Sequence, residues 1–393
     1  MSVSARLVKQ VHNRRRPQVS YAHPDGPVAG ANAMRDHLAS VYSGSGLPST
    51  RPPPLPSSDD HVPFDLGSSS EDDPSGSGSG LSSFSADSVA DTMRRLPLRK
   101  APGSDHLRTE MLIPIRKQVA AILARLFDIC CQWSYTPSLW RHAQVVPIYK
   151  KGDPHQPSNF RPISLTSIIR KLFEMCLFPH LEDVSPPLDI AQGGFRPQRS
   201  ALDQALCLHD LIQEYYRRKR HFPVVAFLDI KAAYDTVDRR VIWQSLLAVS
   251  APFALVSVLA HLFDDVSISV LMSNQVSTPF TPSTGVLQGS VLSPHLYSIY
   301  INTLPTLLRS AATRTTTMVS SLSPSGPPGS GFGLSPGLPF GPTLDVSSLS
   351  SSPTAINSLL YADDVAILGS PSEVKQMLDL AQIHSQIRSS HPL

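Results

Sequence analysis

Residues Leu359 to Leu368 read LLYADDVAIL, two apolar runs on either side of a polar pair. The pattern predicts a short buried strand, a tight turn and a second strand, with Asp363 and Asp364 at the turn. Adjacent carboxylates between apolar strands repel each other, and the physical remedies are to protonate one or to bind a cation between them. Taken singly, however, an Asp-Asp pair at such a position is more often plain turn chemistry, because Asp favours turns.

A second stretch changes that weighting. Val224 to Asp238 reads VVAFLDIKAAYDTVD, a continuous apolar run of strand length that ends on Asp229. A carboxylate closing a buried strand needs a partner. Pairing this strand beside the hairpin would bring Asp229, Asp363 and Asp364 into one cluster, suited to two Mg²⁺ ions bridging a phosphoryl transfer. That is the design of a polymerase-like palm. YADD within LLYADDVAIL, together with FLDIKAAYD and GVLQGSVLSPHLYSIYIN, closely resembles the reverse transcriptases of non-LTR (LINE-type) retrotransposons and their group II intron relatives. The resemblance runs from about residue 87 to 310 and again over 357 to 385, with the motifs in the family's order.

The resemblance implies an α+β right-hand polymerase of fingers and palm, with the thumb missing from the chain as written. It implies an RNA-directed DNA polymerase working on an RNA template, a DNA primer and dNTPs, and nuclear action. Asp229 and Asp363 would bridge two Mg²⁺ ions, with Mn²⁺ as a substitute, while Asp364 is more peripheral and the Ile230 carbonyl is available to the nucleotide-side ion. Tyr234, five residues after Asp229, would lie beneath the nucleotide sugar and exclude a 2′-hydroxyl; packing in the palm core is the other reading. Gln288 and Gly289 would form the template and nucleotide platform.

Two further segments match family motifs. In AQVVPIYKKGDPHQPSNFRPISLTSIIRKLFE, from Ala143, the basic residues Lys150, Lys151 and Arg161 would contact nucleotide phosphates, with solvated surface charge as the alternative for each. In AQGGFRPQRSALDQAL, from Ala191, Arg196 and Arg199 either contact template or phosphate or fix the Gly-rich turn through its carbonyls. Asp235 reads as the cap of the following helix. Two other functions stay open: a truncated, inactive remnant that at most binds nucleic acid, and an RNA-dependent RNA polymerase, which Tyr234 disfavours.

Composition sets the limits. The chain has 393 residues, 37 of them proline, and a net charge of +3, so basic grooves must come from local charge. Cys130, Cys131, Cys176 and Cys207 show no C-x-x-C spacing, which argues against a disulfide framework or a zinc module and for buried thiols of an intracellular protein. No apolar run is long enough for a membrane span, so a soluble protein is expected. Nothing in the sequence specifies an oligomeric state. Residues 1–84 read as a largely disordered linker with a basic cluster at Arg14 to Arg16, residues 85–393 as the polymerase domain, and about 310–357 as a disordered Ser/Pro/Gly insertion. Within the domain, Ser85 should cap a helix carrying Val89, Met93 and Leu96. A longer helix should bury Val119, Ile122, Leu123, Leu126, Phe127 and Cys130. Around Ser273-Asn274-Gln275 the chain should turn back as a hairpin.

Overall fold

A computed structural model describes residue 21 and residues 23–44, 83–310 and 356–388. Most of the expected N-terminal linker and of the 310–357 insertion lies outside the described residues. In chain order the elements are α1 (Pro27–Val41), α2 (Ala86–Arg95), α3 (Arg116–Gln132), β1 (His142–Tyr149), β2 (Phe160–Leu165), α4 (Ile168–Val184), α5 (Ala201–Lys219), β3 (Val224–Asp229), α6 (Arg239–Ala248), α7 (Phe253–Asp264), β4 (Ser267–Met272), β5 (Gln275–Val276), α8 (Ser293–Ile301), β6 (Ser358–Tyr361), β7 (Asp364–Gly369) and α9 (Pro371–Arg388). The mixture of helices and two sheets is the expected α+β class. It divides into two compact units, one drawn from residues up to Leu188 and from Lys231–Ile301, the other from Asp189–Ile230 and Asn302–His384.

The first unit is built on a sheet of order β2-β1-β4-β5. β1 runs antiparallel to β2 and parallel to β4, while β4 and β5 close a hairpin over Ser273 and Asn274, both at positive φ as a type I′ turn requires. The expected linker of residues 1–84 is wrong for residues 27–41, which form α1. Pro27 opens that helix at a position where its missing N–H costs nothing. Ala31, Met34, Leu38 and Tyr42 then recur every three or four residues, and this stripe is buried with Val145, Ile268 and Val270. Burial of Met34 and Leu38 contributes on the order of 2 kcal/mol each, which outweighs the absence of a side-chain N-cap.

A second apolar cluster in this unit holds α2, α3 and α4 together through the rings of Phe84, Phe127, Trp140 and Phe173, with Phe127 and Phe173 centroids 4.9 Å apart. Ser85 caps α2 by accepting from the Ser88 amide, and Val89, Met93 and Leu96 are buried as expected. The buried face of α3 is rotated from its expected position. Ala120, Ala124, Phe127, Cys130 and Cys131 face inward while Ile122 stands 69% exposed. Small side chains let neighbouring helices approach closely, so close packing rather than greatest hydrophobicity selects this face. Deeper in, Arg170 and Glu174 form a fully buried ion pair, completed by the Trp140 carbonyl and the Val291 amide.

The second unit contains the sheet β3-β7-β6, antiparallel throughout. Residues Val365 to Gly369 of the central strand are all buried. β3 departs from the expected buried strand: it lies at the sheet's edge, and Val224 and Phe227 are exposed, Phe227 to 74%. The buried face of α9 carries Val374, Met377 and Ala381 as expected, with Leu378 turned outward.

Candidate active site

Three acidic residues lie at one end of the second unit's sheet. The β3–β7 ladder runs in register from Val224↔Gly369 to Asp229↔Asp364, and the β6–β7 ladder from Ser358↔Ile367 to Tyr361↔Asp364. Asp229 and Asp364 are therefore cross-strand neighbours, with Asp363 on the intervening turn. All three are exposed, and none makes a side-chain hydrogen bond or ion pair among the described residues. The side chains do not themselves gather into a coordination shell: among the described residues no three acidic, His or Cys groups come together to hold a metal. As an all-oxygen donor set free of competing partners, they fit a hard divalent cation. Ile230 follows directly on β3.

The turn is strained and externally braced. Ala362 has φ 59°, a left-handed conformation at the first turn position that suits glycine and costs a non-Gly residue about 1–2 kcal/mol. Such strain persists where surroundings over-determine the backbone. Here the brace is the Gly-rich turn: the Leu360 amide donates to the Ala191 carbonyl, the Gly193 amide donates to the Leu360 carbonyl, both at 2.8 Å, and Gln192 bridges to Leu360 in parallel. A Cβ on Gly194 would sit 2.2 Å from the Ala362 nitrogen, so only glycine permits this approach.

The brace is itself tied down. Arg309 grips the Asp189 carboxylate with two nitrogens, the Ala191 amide donates to the same group, and Asn302 accepts from both the Asp189 amide and the Gln192 side chain. Burial alone would raise the Asp189 pKa, but the Arg309 contacts and the Ala191 amide hold it below the ordinary carboxylate value. Arg196 spans the turn, donating to the Gln192 and Asp189 carbonyls at 3.2 and 3.4 Å. This favours the turn-fixing reading for Arg196. Arg199 is exposed. The basic end of α5 carries Arg217 and Arg218 paired with Glu214, and Tyr216 stacked on Phe222.

The remaining candidates lie in the first unit. Lys150 and Lys151 occupy the exposed β1–β2 connection, and exposed Arg161 stands opposite Ile148 in that ladder. Tyr234 is half-buried, its ring stacked on Tyr297 with centroids 5.1 Å apart and planes 10° from parallel. The Gln288 carbonyl accepts from the Ser164 amide at 2.8 Å. Gly289, at φ 147°, lies so close to the Ser164 carbonyl that a Cβ would sit 2.3 Å from it. The close approach that needs glycine is thus to β2.

Asp235 does not cap the next helix. Asp238 does, accepting from the Arg240 amide, whereas Asp235 turns inward and accepts from the Tyr42 hydroxyl at 2.6 Å and from Gln288 Nε2 at 2.9 Å. Burial raises the Asp235 pKa, opposed by these two hydrogen bonds and by the Lys150 charge; the same burial and Asp235's charge push Tyr42 well above its ordinary value. Tyr42, Gly194, Asp189 and Arg309 were missed by sequence reasoning. For Gly194 the signal was the pair of adjacent glycines; for the Asp189–Arg309 and Tyr42–Asp235 contacts no local signal exists.

The profile of a family described as "Reverse transcriptase (RNA-dependent DNA polymerase)" matches residues 148–390, more than half of the chain. The chain is 30% identical over 225 residues to the "Probable RNA-directed DNA polymerase from transposon BS" and 32% identical over 236 residues to the "RNA-directed DNA polymerase from mobile element jockey", both of Drosophila melanogaster. These alignments cover 55% and 58% of this chain but 24% and 25% of the relatives, so the chain spans about a quarter of the length of the curated proteins it matches. Among solved structures, apo telomerase from Candida tropicalis overlaps with a TM-score of 0.37 at 12% identity, covering 65% of this chain and 49% of that one, a likeness too slight to carry an argument.

Proposed function

The chain belongs to the reverse transcriptase family and is of the LINE type, and from that premise we propose that its fingers and palm elements add nucleotides from dNTPs to a primer 3′-hydroxyl on an RNA template. The 3′-oxygen forms the new bond to the α-phosphorus and pyrophosphate leaves. Members of this family use divalent metal ions, and here Asp229, Asp363 and Asp364, with the Ile230 carbonyl, would hold two Mg²⁺, or Mn²⁺ in their place. When bound, such ions acidify the 3′-hydroxyl and neutralise charge on the phosphates.

The chain's own residues would do the rest by positioning and charge. Arg161 offers a planar fork for phosphate oxygens, and Lys150 and Lys151 supply point charges. Tyr234 would select against a 2′-hydroxyl by bulk, its ring backed by Tyr297. Gln288 and Gly289 would form the floor beneath template and nucleotide. Arg199 is the candidate for a nucleic-acid contact, because Arg196 is engaged with turn carbonyls. Among the described residues no helix is long and apolar enough to cross a membrane.

The single observation that best supports this reading is the register Asp229↔Asp364 with Asp363 on the adjoining turn. The test is incorporation of dTTP against UTP on a primed poly(rA) template in Mg²⁺. Preferential dTTP incorporation that Tyr234→Val relaxes is the expected result. Equal or preferred UTP incorporation by the unaltered chain would point to an RNA polymerase, and no incorporation of either by folded protein would point to an inactive remnant.

A further inference from the structure

The acid that accepts from Gln288 is held by a residue almost two hundred positions away in sequence. Tyr42, at the end of α1, docks onto the loop leading to Gln288 with both main chain and side chain. Its carbonyl accepts from the Ser283 and Thr284 amides at 2.9 and 3.2 Å, and its hydroxyl donates to Asp235. The loop is shaped to receive it: Gly285 sits at φ 90°, and a Cβ there would lie 2.6 Å from the Tyr42 ring. Arg239, buried and paired with Asp264, donates to the Gly285, Pro282 and Ser283 carbonyls and fixes the same loop from another direction.

Chemistry then decides how Gln288 is oriented. An ionised carboxylate only accepts, so the Gln288 atom facing Asp235 must be the amide nitrogen. The other end of the amide, Oε1, has no partner among the described residues. A protonated or amide side chain at 235 would lose this discrimination, since either can also donate.

We propose that Tyr42 and Asp235 are positioning residues that lock the Gln288 amide with Nε2 inward and Oε1 outward, so that the platform presents a hydrogen-bond acceptor to a donor on the incoming nucleotide. The inference rests on the proposed polymerase reading in naming the nucleotide; the amide lock itself does not depend on it. Segment 23–44 thereby becomes part of the substrate-binding machinery. Burial works against ionised Asp235, and the Tyr42 hydroxyl and the Lys150 charge work for it, so removing the hydroxyl weakens the lock without removing the ring.

The test compares Tyr42→Phe and Asp235→Asn, alone and combined with Gln288→Ala, by steady-state dNTP kinetics at a temperature where all variants are folded. Each single variant should raise KM for dNTP about tenfold, the worth of one hydrogen bond to a charged group, with kcat little changed. On the Gln288→Ala background neither should raise it further. An equal KM effect in both backgrounds, or no effect in either, overturns the proposal. A chain with no polymerase activity would sink the polymerase reading alone. The lock is then read by NMR of the Gln288 side-chain amide, whose protons should exchange slowly in the unaltered protein and approach free-amide behaviour in Asp235→Asn and Tyr42→Phe. An unchanged Gln288 signal would overturn it.

Discussion

The Asp363 hairpin and the Gln288 loop are both braced by remote segments, yet by different forces. The hairpin is held by close backbone contact: Ala191 and Gly193 exchange main-chain hydrogen bonds with Leu360, and Gly194 lies so close to the Ala362 nitrogen that no Cβ fits. The Gln288 loop is close-packed too, at Gly285 and Gly289, but it is held in addition by side-chain hydrogen bonds, from Tyr42 through Asp235 and from Arg239. Steric bracing fails when an atom is added; polar bracing fails when one is removed. Loss of a single side-chain hydroxyl should therefore loosen the Gln288 loop and leave the hairpin's backbone contacts intact.

Among variants of the two braces, the largest effect is expected for Gly194→Ala. The added methyl group must displace Ala362 and with it Asp363, lowering stability by about 1–3 kcal/mol and primer extension by roughly a hundredfold. Wild-type melting and extension rates in this variant would break the contrast. Next comes Asp189→Asn, which removes the acceptor charge from Arg309 and should cost about 1.5–2 kcal/mol in urea unfolding at neutral pH. The sign of its pH dependence follows from a folded-state pKa below the ordinary one. The contribution is complete above the unfolded carboxylate value of about 3.9 and is lost as the pH falls through the lower folded value. Stability curves of parent and Asp189→Asn should therefore converge below about pH 4.

Smaller effects sharpen the comparison. Tyr42→Phe should lower stability by about 1 kcal/mol while leaving the hairpin unaffected, measurable as a change in denaturant midpoint at constant slope. Ala362→Gly should be close to neutral and slightly stabilising, on the order of 0.5 kcal/mol, because relief of the positive φ outweighs the added freedom of the unfolded chain. A clear loss of stability in that variant would mean that Ala362 is not strained.

This difference in bracing also marks what was legible in the sequence. LLYADDVAIL announces its strands and turn because apolar runs and turn-forming residues are adjacent, and the same local logic reads the Ser85 cap and the Ser273-Asn274 hairpin. Composition misled where a short ordered stretch is surrounded by polar sequence. Pro27 and the Ala31, Met34, Leu38, Tyr42 spacing were visible, but the flanking proline- and serine-rich tracts outweighed fifteen helical residues. The face of α3 was misjudged because packing selected Ala120 and Ala124 over Ile122, a choice made by the neighbouring helix. The partners of Asp235 and Asp189 lie 193 and 120 positions away, and no local pattern encodes such contacts.

The most direct measurement of the central claim is extension of an oligo(dT) primer on poly(rA) by the purified chain, with and without Mg²⁺, beside Asp229→Ala and Asp363→Ala. These side chains are exposed and have no partner among the described residues, so both variants should melt within a few degrees of the parent. Extension should require the metal and fall on the order of a thousandfold in each variant. Undiminished extension by either folded variant would contradict the assignment of the paired strand ends as the catalytic carboxylates.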